Sequence, residues 1–250
     1  MNIILIEKKE LFGNRVILSD CRAKHIIKVL KSEVGDCLRL GILDGDRGEA
    51  TVTAVHRKFP FVVELSVGLI TSPGPPPVID LLLALPRPIM LKRILSQVTA
   101  LGIGTIYLVN ANRVEKSFWD AGLLEEKEYR PHLIHGLEQA VDTRLPNIKI
   151  YRQFRPFVED VLPRLVTKYS HLLLAHPLVE KNLSQCLDGS AERVLCAVGP
   201  EGGWVDFEVE KLLAAGMVSF SLGPRILKVD TAVVAIHSRI SQELERESPR

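Results

Sequence analysis

The sequence contains few cysteines and no long hydrophobic run. Its four cysteines form no C-x-x-C pair and lie far apart, at Cys21, Cys37, Cys186 and Cys196, so their spacing predicts neither a zinc site nor a disulfide framework. We expect reduced thiols, most of them buried. No stretch approaches the ~20 apolar residues of a membrane span, and the apolar run before Glu7 has the wrong length and order for a signal peptide. These absences favour a cytoplasmic location.

A large excess of charge of either sign is also missing. Lys and Arg together number 32, and Asp and Glu together number 30, which gives a formal net charge of +2. This value does not exclude a nucleic-acid-binding protein, because such binding needs only a local basic face. Hydrophobic residues make up 46% and charged residues 25% of the 250 positions. That composition excludes disordered and fibrous proteins and allows one large or two ordinary domains.

A proline-rich segment divides the chain. Residues 71–77 read Thr-Ser-Pro-Gly-Pro-Pro-Pro, a composition that holds neither helix nor strand because proline removes donors and fixes φ. We interpret 71–77 as a linker between a domain at 1–70 and a domain at 78–250. Short β-type runs separated by turn residues predict a small β-barrel in the first domain. Its strands are expected at Arg15 to Leu18, Cys37 to Leu43, Glu49 to Val55 and Phe61 to Val67.

The second domain alternates strand and helix patterns, which is typical of an α/β fold with a parallel sheet and crossover helices. Apolar runs predict strands at Ile79 to Leu85, Thr105 to Val109, Leu172 to Ala175, Val194 to Val198 and Val218 to Leu222. Apolar residues at helical spacing predict a helix that ends at Gly102, with Ile94, Leu95, Val98 and Leu101 on its buried face.

Two further helices are predicted near the end of the chain. One runs from about Phe207 to Ala215, with Asp206 as its cap and Gly216 as its stop. The last runs from about Thr231 to Leu244.

One helix interrupts the barrel pattern of the first domain. Its apolar face consists of residues at helical spacing, namely Ala23, Ile26, Ile27 and Leu30. Either Ser19 or Asp20 can cap its start. Basic residues occupy the rest of the helix, and the stretch 21–32 contains no acid: Arg22, Lys24, His25, Lys28 and Lys31. This positive stripe suits phosphate groups, and an ordinary solvated helix face explains it equally well.

A glycine-rich segment, Gly199-Pro200-Glu201-Gly202-Gly203-Trp204, lies between a predicted buried strand and a predicted helix. Open α/β sheets bind ligands at such strand ends. Glycine permits positive φ and lets backbone amides approach a ligand closely. The segment matches neither G-x-G-x-x-G nor the Walker motif, so a phosphate cradle of those kinds is not predicted. A ligand loop and a tight strand-to-helix turn both fit, and we favour the ligand loop.

A second loop with similar features runs from Leu222 to Ala232, again between a strand end and a helix start. Gly223-Pro224 enforces a turn, and Asp230 or Thr231 can cap the helix. Arg225 offers a planar fork of donors between apolar neighbours, a place where a structural role is hard to find. Two neighbouring strand-end loops predict one shared pocket.

The histidines give a weaker signal. His176 follows Leu174-Ala175 at another strand end and could act as an acid or base, although a lone histidine is more often structural. His132 and His135 lie one helical turn apart without the further ligands that a metal requires. No metal site is predicted.

Taken in order, the two loops resemble the RsmE family, ribosomal RNA uracil-N3 methyltransferases of the SPOUT or trefoil-knot class. The resemblance rests on Gly199 to Trp204 with Glu208, and on Leu222 to Leu227 followed by Thr231-Ala232. Segments elsewhere are similar to further blocks of that family: His25 to Lys31 with Val34-Gly35-Asp36, Leu101-Gly102-Ile103, Asn112-Arg113 and Glu138-Gln139.

The resemblance implies a C-terminal α/β trefoil-knot domain with a parallel sheet, a small N-terminal PUA-like β-barrel that binds RNA, and a homodimer. General topology rules alone would reject a knot. It also implies that main-chain atoms of three loops bind S-adenosylmethionine. The implied cofactor-binding residues are Leu174, Ala175, Val198, Gly199, Pro200, Gly202, Leu222, Gly223, Ile226 and Leu227.

The implied reaction is methylation of N3 of a uridine in small-subunit (16S) ribosomal RNA. Arg225 is the candidate for contact with a base carbonyl oxygen on which negative charge develops. Glu201 is the candidate for base or substrate orientation, with bracing of its own loop as the alternative. The candidate RNA-binding residues are those of the basic stripe. Methylation of transfer RNA or of a ribose 2'-hydroxyl, and a non-catalytic RNA-binding assembly factor, stay open.

Overall fold

A computed structural model describes residues 2–120, 122–177, 179–187 and 191–247 of the chain, without the side chains of 69, 70, 246 and 247. The contacts divide the chain into two compact units. The first comprises Met1–Pro75 and Ile134–Leu145, and the second comprises Pro76–Leu133 and Pro146–Arg250. The division at Pro75 falls inside the predicted linker. The bounds 1–70 and 78–250 stay a prediction, and residues 134–145 lie with the first unit.

A five-stranded sheet forms the first unit over the described residues, in the order β1-β3-β4-β5-β2. Strands β1 and β3 are parallel, and the other neighbours are antiparallel. The strands are β1 (Ile4–Ile6), β2 (Arg15–Leu18), β3 (Cys37–Ile42), β4 (Arg47–His56) and β5 (Val62–Thr71). The four strands that the sequence predicted are therefore confirmed within a few residues, whereas β1 was missed. Closure of this sheet into a PUA-like barrel stays a prediction.

The basic helix of the first unit begins as α1 (Cys21–His25) and continues as a π-helical turn at Ile26–Leu30. Of the two predicted caps, Asp20 is the one that acts, because its carboxylate accepts the N–H of Arg22 at 2.9 Å. Leu30 was predicted on the buried face but is 41% exposed. The wider π turn explains this difference, since it breaks the 3.6-residue spacing on which that prediction depended.

The segment 134–145 adds a second, smaller apolar cluster to the first unit. Ile3 and Leu5 pack with Leu137, and all three side chains are buried. Main-chain and side-chain hydrogen bonds add to this packing, since the N–H of Asn2 donates to the carbonyl of Glu138 at 3.1 Å. Arg47 donates to the carbonyl of Val141 at 2.6 Å. The sheet of the first unit is therefore covered partly by residues that come much later in the chain.

The second unit contains a parallel sheet, as predicted. Over the described residues it has six strands in the order β11-β9-β10-β6-β7-β8, and every neighbouring pair is parallel. The strands are β6 (Ile79–Ala84), β7 (Thr105–Val109), β8 (Asn147–Tyr151), β9 (His171–Ala175), β10 (Val194–Val198) and β11 (Val218–Phe220). All residues of β6, β7 and β10 are buried, as expected for strands covered on both faces. Strand β8 was not predicted.

The helices of the chain after the linker are α2 (Pro88–Leu101), α3 (Lys116–Trp119), α4 (Glu126–Ala140), α5 (Phe154–Pro156), α6 (Leu162–Leu165), α7 (Asp206–Ala214) and α8 (Val229–Glu247). A π-helical turn at Phe157–Val161 joins α5 to α6. Helix α2 ends at Gly102, whose φ of 84° confirms the predicted stop. Residues 134–140 of α4 belong to the first unit.

Two predicted helix starts were wrong by one or two residues. Asp206 is the first residue of α7 and not its cap, and the N–H of Val205 is instead accepted by the carboxylate of Glu208 at 3.0 Å. Helix α8 begins at Val229, so Asp230 and Thr231 lie in its first turn. The carboxylate of Asp230 accepts the N–H of Thr231 at 2.9 Å, which places its negative charge at the positive end of the helix.

A buried aspartate joins the amino-terminal ends of several strands. Asp80, at the start of β6, has no exposed surface and accepts the N–H of Thr105 at 2.6 Å. It also accepts the hydroxyl of Tyr169 at 2.6 Å and a guanidinium N–H of Arg193 at 2.7 Å. Burial and the bond to Asp80 raise the pKa of Tyr169 far above its usual range. These residues precede or begin β6, β7, β9 and β10, so one carboxylate fixes the edge of the sheet opposite the predicted ligand loops.

The cysteines differ from the prediction. All four are free, but only Cys196 is buried, whereas Cys21 and Cys37 are exposed and Cys186 is partly exposed. Cys196 lies inside β10, and burial raises the pKa of its thiol. The others lie at a helix start, a strand start and a short 3-10 turn, where the surface is close. Within the described parts of the chain, no helix combines the length and the apolarity needed to span a bilayer.

Candidate active site

The sheet order brings the three predicted loops to one edge. Strand β9 lies between β10 and β11, and all three run in the same direction. Their carboxyl ends therefore lie side by side. The loops that follow them begin at His176, Gly199 and Ser221. This edge is where open parallel sheets bind ligands.

The glycines after β10 act differently from what the sequence suggested. Among them only Gly203 has a positive φ, at 75°. A Cβ on Gly199 would lie 3.1 Å from two ring atoms of Trp204, and a Cβ on Gly202 would lie 3.0 Å from Cδ of Arg113. Gly199 and Gly202 are therefore needed mainly because other side chains of the protein occupy the space beside them.

Trp204 packs against the glycine loop at Gly199. Its side chain is only 6% exposed, and its ring centroid lies 6.0 Å from that of Phe154. Its indole N–H is buried without a hydrogen-bond partner among the described residues. The ring thus fixes the loop by packing against Gly199 and not by a hydrogen bond.

The loop after β7 also contacts the glycine loop. A guanidinium N–H of Arg113 donates to the carbonyl of Gly202. The carboxylate of Glu208, which is 2% exposed, accepts the N–H of Asn112 at 2.6 Å as well as that of Val205. One buried carboxylate therefore connects the start of α7 with the loop after β7.

Glu201 lies at the exposed outer turn of the glycine loop. Its carboxylate accepts the N–H of Arg87 at 3.3 Å. Arg87 is the residue before α2, so this bond places a negative charge at the start of a helix. The contact supports the bracing role that was the alternative for Glu201, and its second carboxylate oxygen has no partner among the described residues.

The loop after β11 is exposed over residues 223–228. Gly223 has a φ of 121° and donates its N–H to the hydroxyl of Ser221 at 3.1 Å. The main-chain groups of Arg225, Ile226 and Leu227 form no hydrogen bond with any other described residue. The Arg225 side chain is exposed and likewise has no partner in the described part of the chain. Ile226 is 83% exposed, so this loop has free polar groups and apolar surface together.

The other predicted cofactor residues are more enclosed. Leu174 and Val198 lie inside β9 and β10 and are 0% and 4% exposed, so only their main chains could reach a ligand. Ala175 ends β9, and His176 follows it with a main-chain N–H that donates to the carbonyl of Phe220 at 2.9 Å. That bond extends the ladder between β9 and β11 by one residue.

The predicted RNA-binding residues divide into two groups. Lys24, Lys28 and Lys31 are exposed, as a phosphate-binding surface requires. Arg22 is different, because its guanidinium pairs with Glu10 and Asp20 and donates to the carbonyl of Leu5 at 2.8 Å. Its side chain is only 16% exposed. We therefore leave Arg22 out of the proposed RNA surface.

His25 also differs from the lysines. Its Nε2 atom is buried without a partner among the described residues, and burial lowers the pKa of the ring. A lowered pKa favours the neutral imidazole near pH 7. His25 is therefore not expected to contribute positive charge to the stripe near pH 7.

In the sequence, Arg113 and Glu208 were named only as part of the family resemblance, without a role, and Arg87 was not named. Arg87 and Arg113 follow β6 and β7, whose carboxyl ends lie at the same edge as the three loops. Extending the strand-end rule to these two strands would have found them. Glu208 was visible as an acid three residues after a helix boundary, which is the position of a capping carboxylate. Within the described residues, no cluster of His, Cys, Asp and Glu suits a metal ion.

We expect replacement of Glu208 by alanine to loosen the glycine loop. The change leaves the N–H groups of Asn112 and Val205 without an acceptor, and should lower the free energy of unfolding by about 1–3 kcal/mol. Glu208→Gln keeps an acceptor oxygen and should lose less. Urea denaturation measures the difference, with Glu210→Ala on the exposed face of α7 as the control. Equal stability of the Glu208→Ala and Glu210→Ala variants would contradict the bracing role.

Comparison with known proteins shows the family to which the chain belongs. Residues 74–241 match a family model described as an RNA methyltransferase domain. The ribosomal RNA small subunit methyltransferase E of Treponema pallidum is 34% identical over 240 residues, which cover 94% of this chain and 88% of that protein. The chain belongs to the ribosomal RNA small subunit methyltransferase E family. The family member of Borreliella burgdorferi is 26% identical, with coverage of 94% and 95%.

Solved structures related to the family have the same fold. A ribosomal RNA small subunit methyltransferase E from Neisseria gonorrhoeae, bound to S-adenosyl methionine, superposes with a TM-score of 0.79 at 19% identity over 97% of this chain and 98% of that chain. A probable rRNA-methyltransferase from Porphyromonas gingivalis gives a TM-score of 0.76 at 21% identity over 98% and 100%. The likeness covers both units of the present chain.

Proposed function

We propose that this protein transfers a methyl group from S-adenosylmethionine to N3 of a uridine in small-subunit ribosomal RNA. The observation that carries the proposal is the 34% identity, over nearly the whole chain, to a protein named ribosomal RNA small subunit methyltransferase E. Two structural neighbours are described as bound to this cofactor, with TM-scores of 0.79 and 0.77. The choice of uridine N3 rests on the resemblance of the two loops to the RsmE family.

The residues at the edge of the sheet fit a nucleoside cofactor. The loop after β11 offers main-chain donors and acceptors at Arg225, Ile226 and Leu227 that are not used elsewhere among the described residues. It also offers the apolar surface of Ile226. An adenine ring needs both, since its edge forms hydrogen bonds and its faces are apolar. Gly199, Pro200 and Gly202 of the loop after β10 would contribute further main-chain contacts to the cofactor. The end of β9, which lies between β10 and β11, would do the same.

S-adenosylmethionine supplies an electrophilic methyl group on a sulfonium. The chain must place the uracil ring, accept or relay the N3 proton, and stabilise negative charge on the carbonyl oxygens beside N3. Ordered placement of the reactants contributes up to about 7–11 kcal/mol in ideal cases. The braced glycine loop, held by Trp204, Arg113 and Glu208, supplies the rigidity that placement requires.

Arg225 is the proposed contact to a uracil carbonyl oxygen. Its guanidinium is exposed and free of carboxylate partners among the described residues, so its charge is available to a ligand. A guanidinium carries a positive charge and a planar set of N–H donors, and it can therefore stabilise a developing negative charge without proton transfer. Glu201 is proposed to orient the substrate through the carboxylate oxygen that Arg87 does not use. The N3 proton passes to solvent or to this carboxylate.

The family resemblance also supports proposals about architecture and location. The C-terminal unit is proposed to be a trefoil-knot domain of the SPOUT class, and the N-terminal sheet a PUA-like barrel. The protein is proposed to be a homodimer with a cytoplasmic location.

Nucleoside mass spectrometry of ribosomal RNA, from cells with and without this protein, tests the proposed reaction. We expect 3-methyluridine to disappear from small-subunit RNA in its absence and to return with the wild-type gene. Loss of a transfer-RNA or ribose methylation instead would select one of the alternative substrates. Isothermal calorimetry with S-adenosylmethionine tests the cofactor separately, because a non-catalytic assembly factor should show no binding.

Neutralising the lysine stripe should reduce the salt dependence of RNA binding. The triple variant Lys24→Gln, Lys28→Gln and Lys31→Gln should lower the slope of log K against log salt by about 2–3, since each phosphate contact contributes about 0.7–0.9. Filter binding of transcribed small-subunit RNA at several salt concentrations measures the slope. The double variant Lys8→Gln and Lys9→Gln removes two exposed lysines outside the stripe and serves as control. A slope equal to wild type removes the stripe from the RNA surface.

A further inference from the structure

The hairpin between β4 and β5 carries an aromatic side chain at its tip. The tip comprises residues 57–61, Arg-Lys-Phe-Pro-Phe. Phe59 is 88% exposed, more than any other large hydrophobic residue whose exposure is described. Single exposed apolar side chains are common in folded proteins, so the surroundings of Phe59 decide whether its ring has a function.

The ring of Phe59 contacts a second aromatic ring of the hairpin tip. Phe59 and Phe61 form an edge-to-face pair with a centroid distance of 6.4 Å and an interplanar angle of 86°. The ammonium of Lys28 lies 5.3 Å from the centroid of Phe61. Arg57 donates to the carbonyl of Ser32 at 3.2 Å. The hairpin tip is therefore connected to the end of the basic helix, and both belong to the first unit.

The surface around the tip is basic. Residues 56–61 contain His56, Arg57 and Lys58 but no acid, and residues 21–32 contain none either. Arg57 pairs with Glu33 at 3.6 Å, an exposed contact in which both side chains keep about half or more of their surface. Lys24, Lys28, Lys31 and Lys58 remain as exposed positive charges. An aromatic ring among such charges matches the surface that binds unpaired nucleotides, where bases stack and phosphates pair with lysines.

We propose that Phe59 stacks on an unpaired base of the RNA substrate, while Lys28, Lys31 and Lys58 contact the phosphates beside that base. The inference rests on the proposed function, because it assigns a second contact to the substrate RNA. The occupant is RNA and not a protein, because the exposed charges around the ring are mostly positive, with Glu33 paired to Arg57, and a positive surface complements a polyanion. Val29, which is 64% exposed beside these lysines, adds apolar surface for a sugar or base edge.

Binding of transcribed small-subunit ribosomal RNA and of a 12-nucleotide single-stranded RNA tests the stack. Phe59→Ala should weaken both complexes about 5- to 100-fold, the usual effect of removing one stacking ring. The slope of affinity against salt should stay unchanged, because stacking releases no counterions. Phe59→Trp should retain the affinity, and Phe59→Leu should not. Phe12→Ala removes another exposed phenylalanine, 74% exposed on the same unit, and should have no effect.

Several outcomes overturn the inference. Wild-type affinity of Phe59→Ala would exclude the ring from the interface. Wild-type affinity of Phe59→Leu would show an apolar contact with the RNA that does not require stacking, and would also overturn the inference. Circular dichroism checks that each variant is folded. If the wild-type protein bound neither RNA nor S-adenosylmethionine, the proposed function itself would fail. If the wild-type protein bound both, and the Phe59 variants bound RNA with wild-type affinity, the stacking inference alone would be wrong.

Discussion

Replacement of Arg225 by alanine should lower the rate of methyl transfer by about 100- to 1,000-fold, the usual effect of removing one donor aimed at developing negative charge. The affinity for S-adenosylmethionine should remain unchanged, because the exposed guanidinium has no contact with the described main chain of its loop. Transfer of a radioactive methyl group to small-subunit RNA measures the rate, and calorimetry measures the affinity.

Two controls make the Arg225 result specific. Arg225→Lys retains the charge but not the planar fork, so we expect only partial activity. Arg164→Ala removes an exposed arginine from the same unit and should leave the rate unchanged. Full turnover of Arg225→Ala would remove Arg225 from the chemistry. A loss of cofactor affinity equal to the loss of rate would instead make it a binding residue.

Replacement of Asp80 by alanine should lower the free energy of unfolding by about 3–5 kcal/mol, the usual effect of breaking a buried ion pair from one side. Three donors lose their acceptor at once, on Thr105, Tyr169 and Arg193. Urea denaturation followed by tryptophan fluorescence measures the change.

The position of Asp80 makes a second expectation possible. It lies at the amino-terminal ends of the strands, whereas the candidate site lies at their carboxyl ends. Folded Asp80→Asn protein should therefore bind S-adenosylmethionine with wild-type affinity although it is less stable. Asp160→Ala removes an exposed aspartate of the same unit and should change neither property. A stability of Asp80→Ala close to that of Asp160→Ala would show that the network contributes little.

Most strands of both sheets could be predicted because their signals are local. Thr105–Val109 and Val194–Val198 are continuous apolar runs bounded by turn residues, and the structure has them at the predicted positions. The two edge strands that were missed carry weaker signals. Ile4–Ile6 has only three residues, and Asn147–Tyr151 alternates with a lysine and is partly exposed.

Helix α4 shows the limit of local patterns. It contains Pro131, a residue that usually ends or kinks a helix, and its last residues belong to the first unit. The local sequence pattern therefore did not predict a continuous helix here. The site shows the same limit. The positions of its loops followed from strand ends, but the reason for Gly199 and Gly202 depends on Trp204 and Arg113, which only the folded chain brings beside them. Likewise, the sequence predicted that Arg22 contacts RNA, because its ion pair with Glu10 forms only in the folded chain.

The return of residues 134–145 to the first unit has a practical consequence. The polypeptide passes between the units three times, near residues 75, 133 and 145. A protease that cuts only the proline-rich segment would therefore leave two fragments that still share one core, through Ile3, Leu5 and Leu137. Gene truncation after Pro75 would expose that apolar surface instead of releasing an independent module. Swapping the first unit between relatives thus requires transplanting two separate stretches of gene together.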